Sequence, residues 1–87
     1  MNEVVYIGNV NFCATEGELL QLAEEFGPVF QVRIIKDRET GRPRGFAFVT
    51  FEREDAALKF ILEVDGALFM DRVLKVSQAN PRTSIGR

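Results

Sequence analysis

The N-terminal third of the chain contains two kinds of apolar pattern. Residues 4–10 carry Val5 and Ile7 two positions apart, and this period of two is typical of a strand. Further along, Thr15 followed three residues later by Glu18 has the sequence of a capping box, which begins a helix. The apolar residues after it recur with the spacing of one helical face: Leu19, Leu22, Ala23 and Phe26. A strand followed by a helix is therefore predicted.

The remainder of the chain repeats these patterns with one additional strand. Residues 29–36 are rich in β-branched side chains and residues 45–51 alternate, so both segments are predicted as strands. A second helical stripe follows at Ala57, Phe60, Ile61 and Val64. Residues 73–77 are predicted as a last strand. Residues 80–87 are polar and contain a proline, so we expect a domain over residues 1–79 and a flexible C-terminal tail over 80–87.

The order of these elements, βαββαβ, predicts the architecture. Two right-handed βαβ units place both helices on one face of a single sheet. The crossovers make the first and third strands central neighbours, which gives a four-stranded antiparallel sheet in the order 4-1-3-2. We therefore predict an α+β fold, the ferredoxin-like βαββαβ sandwich with two helices on one face.

The third predicted strand, in the segment RGFAFVTF (residues 44–51), has aromatic residues on both of its faces. Successive side chains of a strand point to opposite faces, so Phe46 and Phe48 cannot share a face with Phe51. We predict that the helices bury one set of residues from the two central strands: Val5, Ile7, Ala47, Val49 and Phe51. Phe46 and Phe48 should then lie beside Tyr6 on the opposite face, and we expect all three rings to be largely exposed.

The charges are segregated along the chain, although the net charge is −2. The segment from Arg33 to Arg44 contains five basic and two acidic residues, and the segment from Arg72 onward contains four basic residues and none that is acidic. Acidic residues are concentrated in and around the predicted helices. One side of the fold should therefore be positive, and a local potential of this kind attracts an anionic partner more than the net charge suggests.

Composition argues against several functional classes. The chain has no histidine, which is the commonest general base, and its single cysteine, Cys13, cannot form an internal disulfide. No cluster of Cys and His is present to bind zinc, and no apolar run is long enough to span a bilayer. We therefore predict a monomeric, non-enzymatic protein without metal or cofactor, which is intracellular, either nuclear or cytoplasmic, and not associated with a membrane.

The segment RGFAFVTF resembles the eight-residue ribonucleoprotein signature of the RNA recognition motif family. VYIGNV (residues 5–10) resembles the six-residue companion motif of the same family, and the resemblance extends over residues 4–79. It implies that Tyr6 and Phe48 each stack on a base of single-stranded RNA. It also implies that Phe46 lies against sugar rings and that Arg44 pairs with a phosphate.

Other candidate ligand residues have two readings each. Four basic residues either contact phosphates or only keep the protein soluble: Arg33, Lys36, Arg42 and Lys75. Gln78 and Asn80 follow the last predicted strand, in a region where members of the family often contact bases, so each is a candidate for base contact or a plain surface residue. Residues 67–76, ALFMDRVLKV, are also similar to nuclear poly(A)-binding proteins, so poly(A) is one candidate ligand, and single-stranded DNA is another.

The alternative function is a protein–protein interaction module on the same fold. Three leucines fall outside the predicted core stripes and could form a protein contact on the helix side: Leu20, Leu58 and Leu62. Scattered exposed leucines are also ordinary on soluble proteins, so this pattern alone does not establish a contact.

Overall fold

The computed structural model describes residues 3–79, which form a four-stranded sheet covered by two helices and a separate two-stranded hairpin. In chain order, the elements are β1 (Glu3–Gly8), α1 (Glu16–Glu24), β2 (Val29–Lys36), β3 (Pro43–Phe51), α2 (Glu54–Val64), β4 (Leu68–Phe69), β5 (Arg72–Val73) and β6 (Lys75–Gln78). The main sheet has the order β2-β3-β1-β6, and all of its pairs are antiparallel. Because β6 is the fourth strand of this sheet, the predicted order 4-1-3-2 is confirmed.

The apolar pattern of the sequence did not show the short hairpin formed by β4 and β5, although VDGALFMDRVLKV (residues 64–76) resembles the final hairpin of the RNA recognition motif family. It precedes β6, so the last strand of the main sheet begins at Lys75 and not at Val73 as the apolar pattern suggested. Leu74 lies between the hairpin and β6 and is buried. The predicted tail, residues 80–87, lies outside the described residues, and so does Asn80.

The two central strands place their aromatic residues in direct register. Tyr6 of β1 is opposite Phe48 of β3, and Gly8 is opposite Phe46. Residues directly opposite each other in an antiparallel pair have side chains on the same face. The pairing therefore brings together rings that about 40 positions separate in sequence.

The core lies between the helices and the other face of the sheet. All five side chains predicted to be buried there have no exposed surface: Val5, Ile7, Ala47, Val49 and Phe51. The helices contribute Leu19, Ala23, Ala57 and Phe60 to the same cluster. The ring centroid of Phe60 lies 5.4 Å from that of Phe26 and 5.2 Å from that of Phe51. The assignment of the two sheet faces from alternation is thus confirmed.

Local interactions begin both helices. The Thr15 hydroxyl accepts a hydrogen bond from the Glu18 amide at 3.1 Å, and the Glu18 carboxylate accepts one from the Thr15 amide at 2.9 Å. This is the predicted capping box. At the start of α2, Arg53 donates to Asp55 at 3.0 Å, and this hydrogen bond lowers the pKa of the Asp55 carboxyl below its usual value. Both acidic first turns complement the positive N-terminal end of a helix.

Candidate functional site

Three aromatic rings form a cluster on the sheet face that lies opposite the helices. The ring centroids of Tyr6 and Phe46 are 5.9 Å apart, those of Tyr6 and Phe48 are 5.9 Å apart, and those of Phe46 and Phe48 are 6.1 Å apart. We call this cluster the ring surface. Because each ring packs against the other two, all three are half-buried. The prediction that they are largely exposed was therefore wrong in degree, although their face was assigned correctly.

The absence of a side chain at Gly8 allows the Tyr6 ring to lie along β1. A Cβ atom placed on Gly8 would come within 2.6 Å of the Tyr6 hydroxyl oxygen and within 3.0 Å of two ring carbons. These distances are too short for non-bonded atoms, so any larger residue at position 8 would displace the ring. Glycine at this position thus sets the orientation of the first aromatic ring.

Basic side chains border the ring surface. Arg33 on β2 is directly opposite Phe48, which places it on the same face. Arg44 and Lys75 line a cleft together with Tyr6 and Phe46. Within residues 3–79, none of these three cations forms an ion pair, and the ion pair that is present joins Arg53 to Asp55 at the start of α2. The ring surface therefore carries uncompensated positive charge.

Lys36 and Arg42 are not among the residues that line the cleft beside Tyr6 and Phe46. The pairing of β2 with β3 shifts its register between Ile34 and Lys36, and Lys36 lines a different cavity, with Ala14 and Glu16. Arg42 is exposed in the β2–β3 loop, where its carbonyl accepts a hydrogen bond from the Asp37 amide at 2.7 Å. Strand register or the cleft lining thus places Arg33, Arg44 and Lys75 beside the rings, and neither does so for Lys36 or Arg42.

The last strand places Ser77, and not Gln78, on the ring face. Gln78 is opposite Val5, and its side-chain amide donates to the Glu3 carboxylate at 3.2 Å on the helix side of the sheet. Ser77 is opposite Tyr6. Sequence reasoning missed Ser77, although alternation from the buried Val76 was a sufficient signal for it.

A second group missed by sequence reasoning lies beside the ring surface, where the β1–α1 loop meets the β4–β5 hairpin. Phe12 in this loop is 58% exposed. The Arg72 guanidinium carbon lies 5.8 Å from the centroid of the Phe12 ring, and Arg72 donates a hydrogen bond to the side chain of Asn9 at 2.8 Å. Residues in loops have no periodic pattern. The signal for this group in the sequence was Phe12, an aromatic residue between a predicted strand and a predicted helix.

The three leucines outside the core stripes do not form one surface. Leu58 and Leu62 on α2 are 45% and 82% exposed. Leu20 on α1 is half-buried and lines a cavity with Phe30 at the β2 edge of the sheet. The structure therefore offers an exposed leucine pair on α2, with Leu20 in a separate environment.

The described residues provide no arrangement for a metal ion or a membrane span. Between Glu3 and Ala79, no three His, Cys, Asp or Glu side chains are grouped so that they could hold a metal ion. Neither α1 nor α2 is long and apolar enough to cross a bilayer.

Known proteins match this chain in both sequence and fold. A family model described as the RNA recognition motif matches residues 5–75. The putative RNA-binding protein RbpE of Nostoc sp. is 44% identical over 82 residues, which cover 94% of this chain and 83% of the relative. The crystal structure of RNA binding protein PG1 is 42% identical with a TM-score of 0.86, over 88% of this chain and 93% of that one.

A second solved structure, the Rna15 RRM with bound RNA (GU), has a TM-score of 0.78 and 28% identity, over 95% of this chain and 93% of that one. The family model covers most of the chain, and relatives such as RbpE align over nearly all of it. The sheet order, the ring surface and these matches all lead to the same conclusion: the chain belongs to the RNA recognition motif family.

Proposed function

We propose that the chain binds single-stranded RNA on the ring surface. The observation that carries this proposal is the cluster of three aromatic rings on the sheet face opposite the helices, bordered by cations without ion-pair partners in residues 3–79. Unstacked bases of a single strand present aromatic faces that can stack on such rings, and each phosphate presents a negative charge. An aromatic, positive surface therefore matches both parts of the nucleotide.

Each residue of the ring surface has a proposed role. Tyr6 and Phe48 each stack on a base, and the direct register of their strands suits two successive nucleotides. Phe46 lies against sugar rings, and Arg44 pairs with a phosphate. Arg33 and Lys75 border the same rings and are further candidates for phosphate contact.

The relatives support this assignment. RbpE is named as an RNA-binding protein, and the Rna15 RRM was solved with bound RNA (GU). Among RNA sequences, poly(A) is the candidate suggested by residues 67–76, and single-stranded DNA is a second class of ligand, because stacking does not require the 2′-hydroxyl group.

The test compares substitutions on the two faces of the sheet. Phe48→Ala and Tyr6→Ala should each weaken RNA binding by roughly 1–3 kcal/mol, the usual contribution of one stacked base. Leu58→Ala removes an exposed apolar side chain from α2 and should leave affinity unchanged. Fluorescence anisotropy with labelled short RNAs, including poly(A), a mixed sequence and the matching DNA, measures the affinities. Thermal melting of each variant shows that it is folded.

A folded Phe48→Ala variant that binds RNA as tightly as the wild type would exclude stacking on the ring surface. The alternative function, a protein interaction module, has specific support from the exposed pair Leu58 and Leu62 on α2. It predicts that the wild type binds none of these nucleic acids, and that capture of a protein partner is lost in Leu58→Ala or Leu62→Ala.

A further inference from the structure

The outer edge of β2 is open, and a groove runs beside it. In the described residues β2 lies at one end of the main sheet, with β3 on only one side of it. The groove has a volume of about 320 Å³ and lies between this strand and α1, so we call it the α1–β2 groove. Leu20 of α1 and Phe30 of β2 line it, and Phe30 is 61% exposed. An open strand edge beside an apolar groove is a template for one more strand.

The main chain of β2 shows which of its groups are available to such a strand. The Ile34 amide donates a hydrogen bond to the Glu16 carboxylate at 3.0 Å, so this amide points away from β3. Hydrogen-bonding direction alternates along a strand, and the register with β3 is regular from Val32 to Ile34. The N–H and C=O groups of Val32 therefore also point outward. Glu16 covers the edge at Ile34, whereas within residues 3–79 no other strand covers it at Val32.

The helix side of the groove has a charge pattern that selects the occupant. Glu16, Leu20 and Glu24 line it at intervals of four residues, so they lie along one face of α1. Neighbours in this row are about 6 Å apart along the helix axis, and alternate residues of a strand are about 6.4–6.8 Å apart. Glu16 has acceptor capacity beyond its bond to Ile34, because a carboxylate has about four lone-pair sites. The row therefore matches an extended segment with an apolar side chain between two cationic ones.

The electrostatics of α1 strengthen this preference for cations. The C-terminal end of a helix carries a partial negative charge, which nearby cations stabilise. The last turn of α1 contains no basic residue, and the helix ends at Glu24, followed by Glu25. No Lys or Arg of the described chain lines the groove. A second copy of the chain would bring another acidic α1 beside the first, and like charges repel each other. A basic segment of a different protein is therefore favoured.

We propose that the α1–β2 groove binds an extended segment of another protein, which adds to the edge of β2 as a fifth strand of the main sheet. The segment directs two cationic side chains toward Glu16 and Glu24, and an apolar side chain between them toward Leu20 and Phe30. Its main chain pairs with Val32. None of the three rings of the ring surface lines this groove, so the inference does not depend on RNA binding.

The probe is the capped peptide Lys-Thr-Val-Thr-Lys, which places both lysines and the valine on one side of a strand. NMR chemical shifts of isotopically labelled protein measure its affinity, and thermal melting shows that each variant is folded. Leu20→Ala and Phe30→Ala should each weaken binding about fivefold or more, because each removes apolar area from the groove. Leu68→Ala and Phe12→Ala are the matched controls, because both residues are exposed on other surfaces, and they should leave peptide affinity unchanged.

The main-chain pairing has a separate test. Successive N–H groups of a strand point to opposite sides, so only alternate amides of the peptide face β2. N-methylation of the valine and N-methylation of the threonine after it therefore block opposite edges of the peptide. One of these two peptides should lose affinity by about tenfold or more, and the other should bind like the parent. Equal effects of both changes would show that the segment does not pair with β2, and the proposal would be wrong.

The charge pattern is tested by reversing one charge. Glu24→Gln should weaken peptide binding about two- to fivefold, the range of an exposed ion pair, and the matched change Glu63→Gln on α2 should not. Glu24→Lys should prefer one of the two peptides in which a single lysine is replaced by glutamate, and that peptide gives the direction of the added strand. If neither substituted peptide binds Glu24→Lys more tightly than the parent does, the assignment of a cation to Glu24 is wrong.

Other occupants of the groove give different results. Analytical ultracentrifugation tests a second copy, because a wild-type dimer that dissociates in Phe30→Ala would show that another copy fills the groove, and the proposal would fail. Saturation with a short RNA should leave peptide affinity unchanged, whereas displacement of the peptide would place it on the ring surface and contradict the proposal. No peptide binding at millimolar concentration would also overturn it. If the peptide binds and no RNA does, the proposed function fails while this inference stands.

Discussion

A cluster of three aromatic rings lies on each side of the sheet, and the centroid distances in the two clusters are similar. On the helix side, centroid distances of 5.4 and 5.2 Å join Phe26, Phe60 and Phe51. On the open side, the distances among the rings of the ring surface are 5.9 to 6.1 Å. Phe51 and Phe60 are fully buried between the sheet and the helices, whereas neither helix covers the open cluster in the described residues 3–79. The position of the helices, and not ring packing, therefore separates a core cluster from a candidate binding surface.

Charge differs between the faces as well. Both helices begin with acidic residues, Glu16 and Glu18 in α1 and Glu54 and Asp55 in α2. The ring face carries cations that have no ion-pair partner among residues 3–79. The two faces thus account for a chain whose net charge is −2 although its ring face is positive.

The largest expected effect is a difference in the free energy of unfolding between variants of the two ring clusters. Phe60→Ala should lower the free energy of unfolding by about 3–5 kcal/mol, because it leaves a cavity beside Phe26 and Phe51. Phe48→Ala should lower it by about 1–3 kcal/mol, because its contacts with Tyr6 and Phe46 contribute about 0.5–1.5 kcal/mol each. Urea unfolding of both variants gives the comparison. Equal losses would mean that the open cluster is a second core and not a surface prepared for a ligand.

The salt dependence of RNA binding should differ between substitutions of cations on the ring face and on the helices. Two to four phosphate contacts give a slope of log K against log salt of roughly −1.5 to −3 for a single strand. Arg44→Gln should make the slope less negative by about 0.7, while the matched change Lys59→Gln on α2 should not alter it. RNA titrations at several salt concentrations measure both slopes. A wild-type slope near zero would show that the cations of the ring face contact only solvent.

The smallest effect concerns Gly8, the residue under the Tyr6 ring. Gly8→Ala should lower RNA affinity by up to about 1 kcal/mol, because the new Cβ pushes the ring from its stacking position. Stability should stay the same or rise, since alanine restricts the unfolded chain more than glycine does. Gly17→Ala on the exposed side of α1 is the control, with an expected gain in stability and unchanged affinity. Parallel changes of both properties in Gly8→Ala would indicate a general structural defect.

Alternation and helical periodicity were sufficient for the fold. They identified the buried set around Val49 and Phe51, because a period of two or of 3.6 directly reports which side chains face a core. The capping box at Thr15 was identified separately, from the spacing of Thr15 and Glu18. Features that break a period were not predictable in this way. The register shift between Ile34 and Lys36 is such a feature.

The candidate site was predicted only where it lies on regular strands. Tyr6, Phe46 and Phe48 follow from strand parity together with the strand order. The partial burial of these rings does not follow from strand parity, because it depends on how closely the rings pack. Phe12 lies in a loop and Arg72 in a hairpin. Hydrogen bonds from the side chains of Asn9 and Asn11 join this loop to the hairpin, and no periodic pattern in the sequence predicts such contacts.

The position of Tyr6 makes the protein its own optical reporter. The sequence has one tyrosine and no tryptophan, so near-ultraviolet emission arises almost entirely from the ring at the centre of the open face. A base stacked on that ring would quench the emission, without any attached dye. A partner bound to the leucine pair on α2 would leave it nearly unchanged. A single spectrum can therefore tell which side of the sheet a ligand occupies.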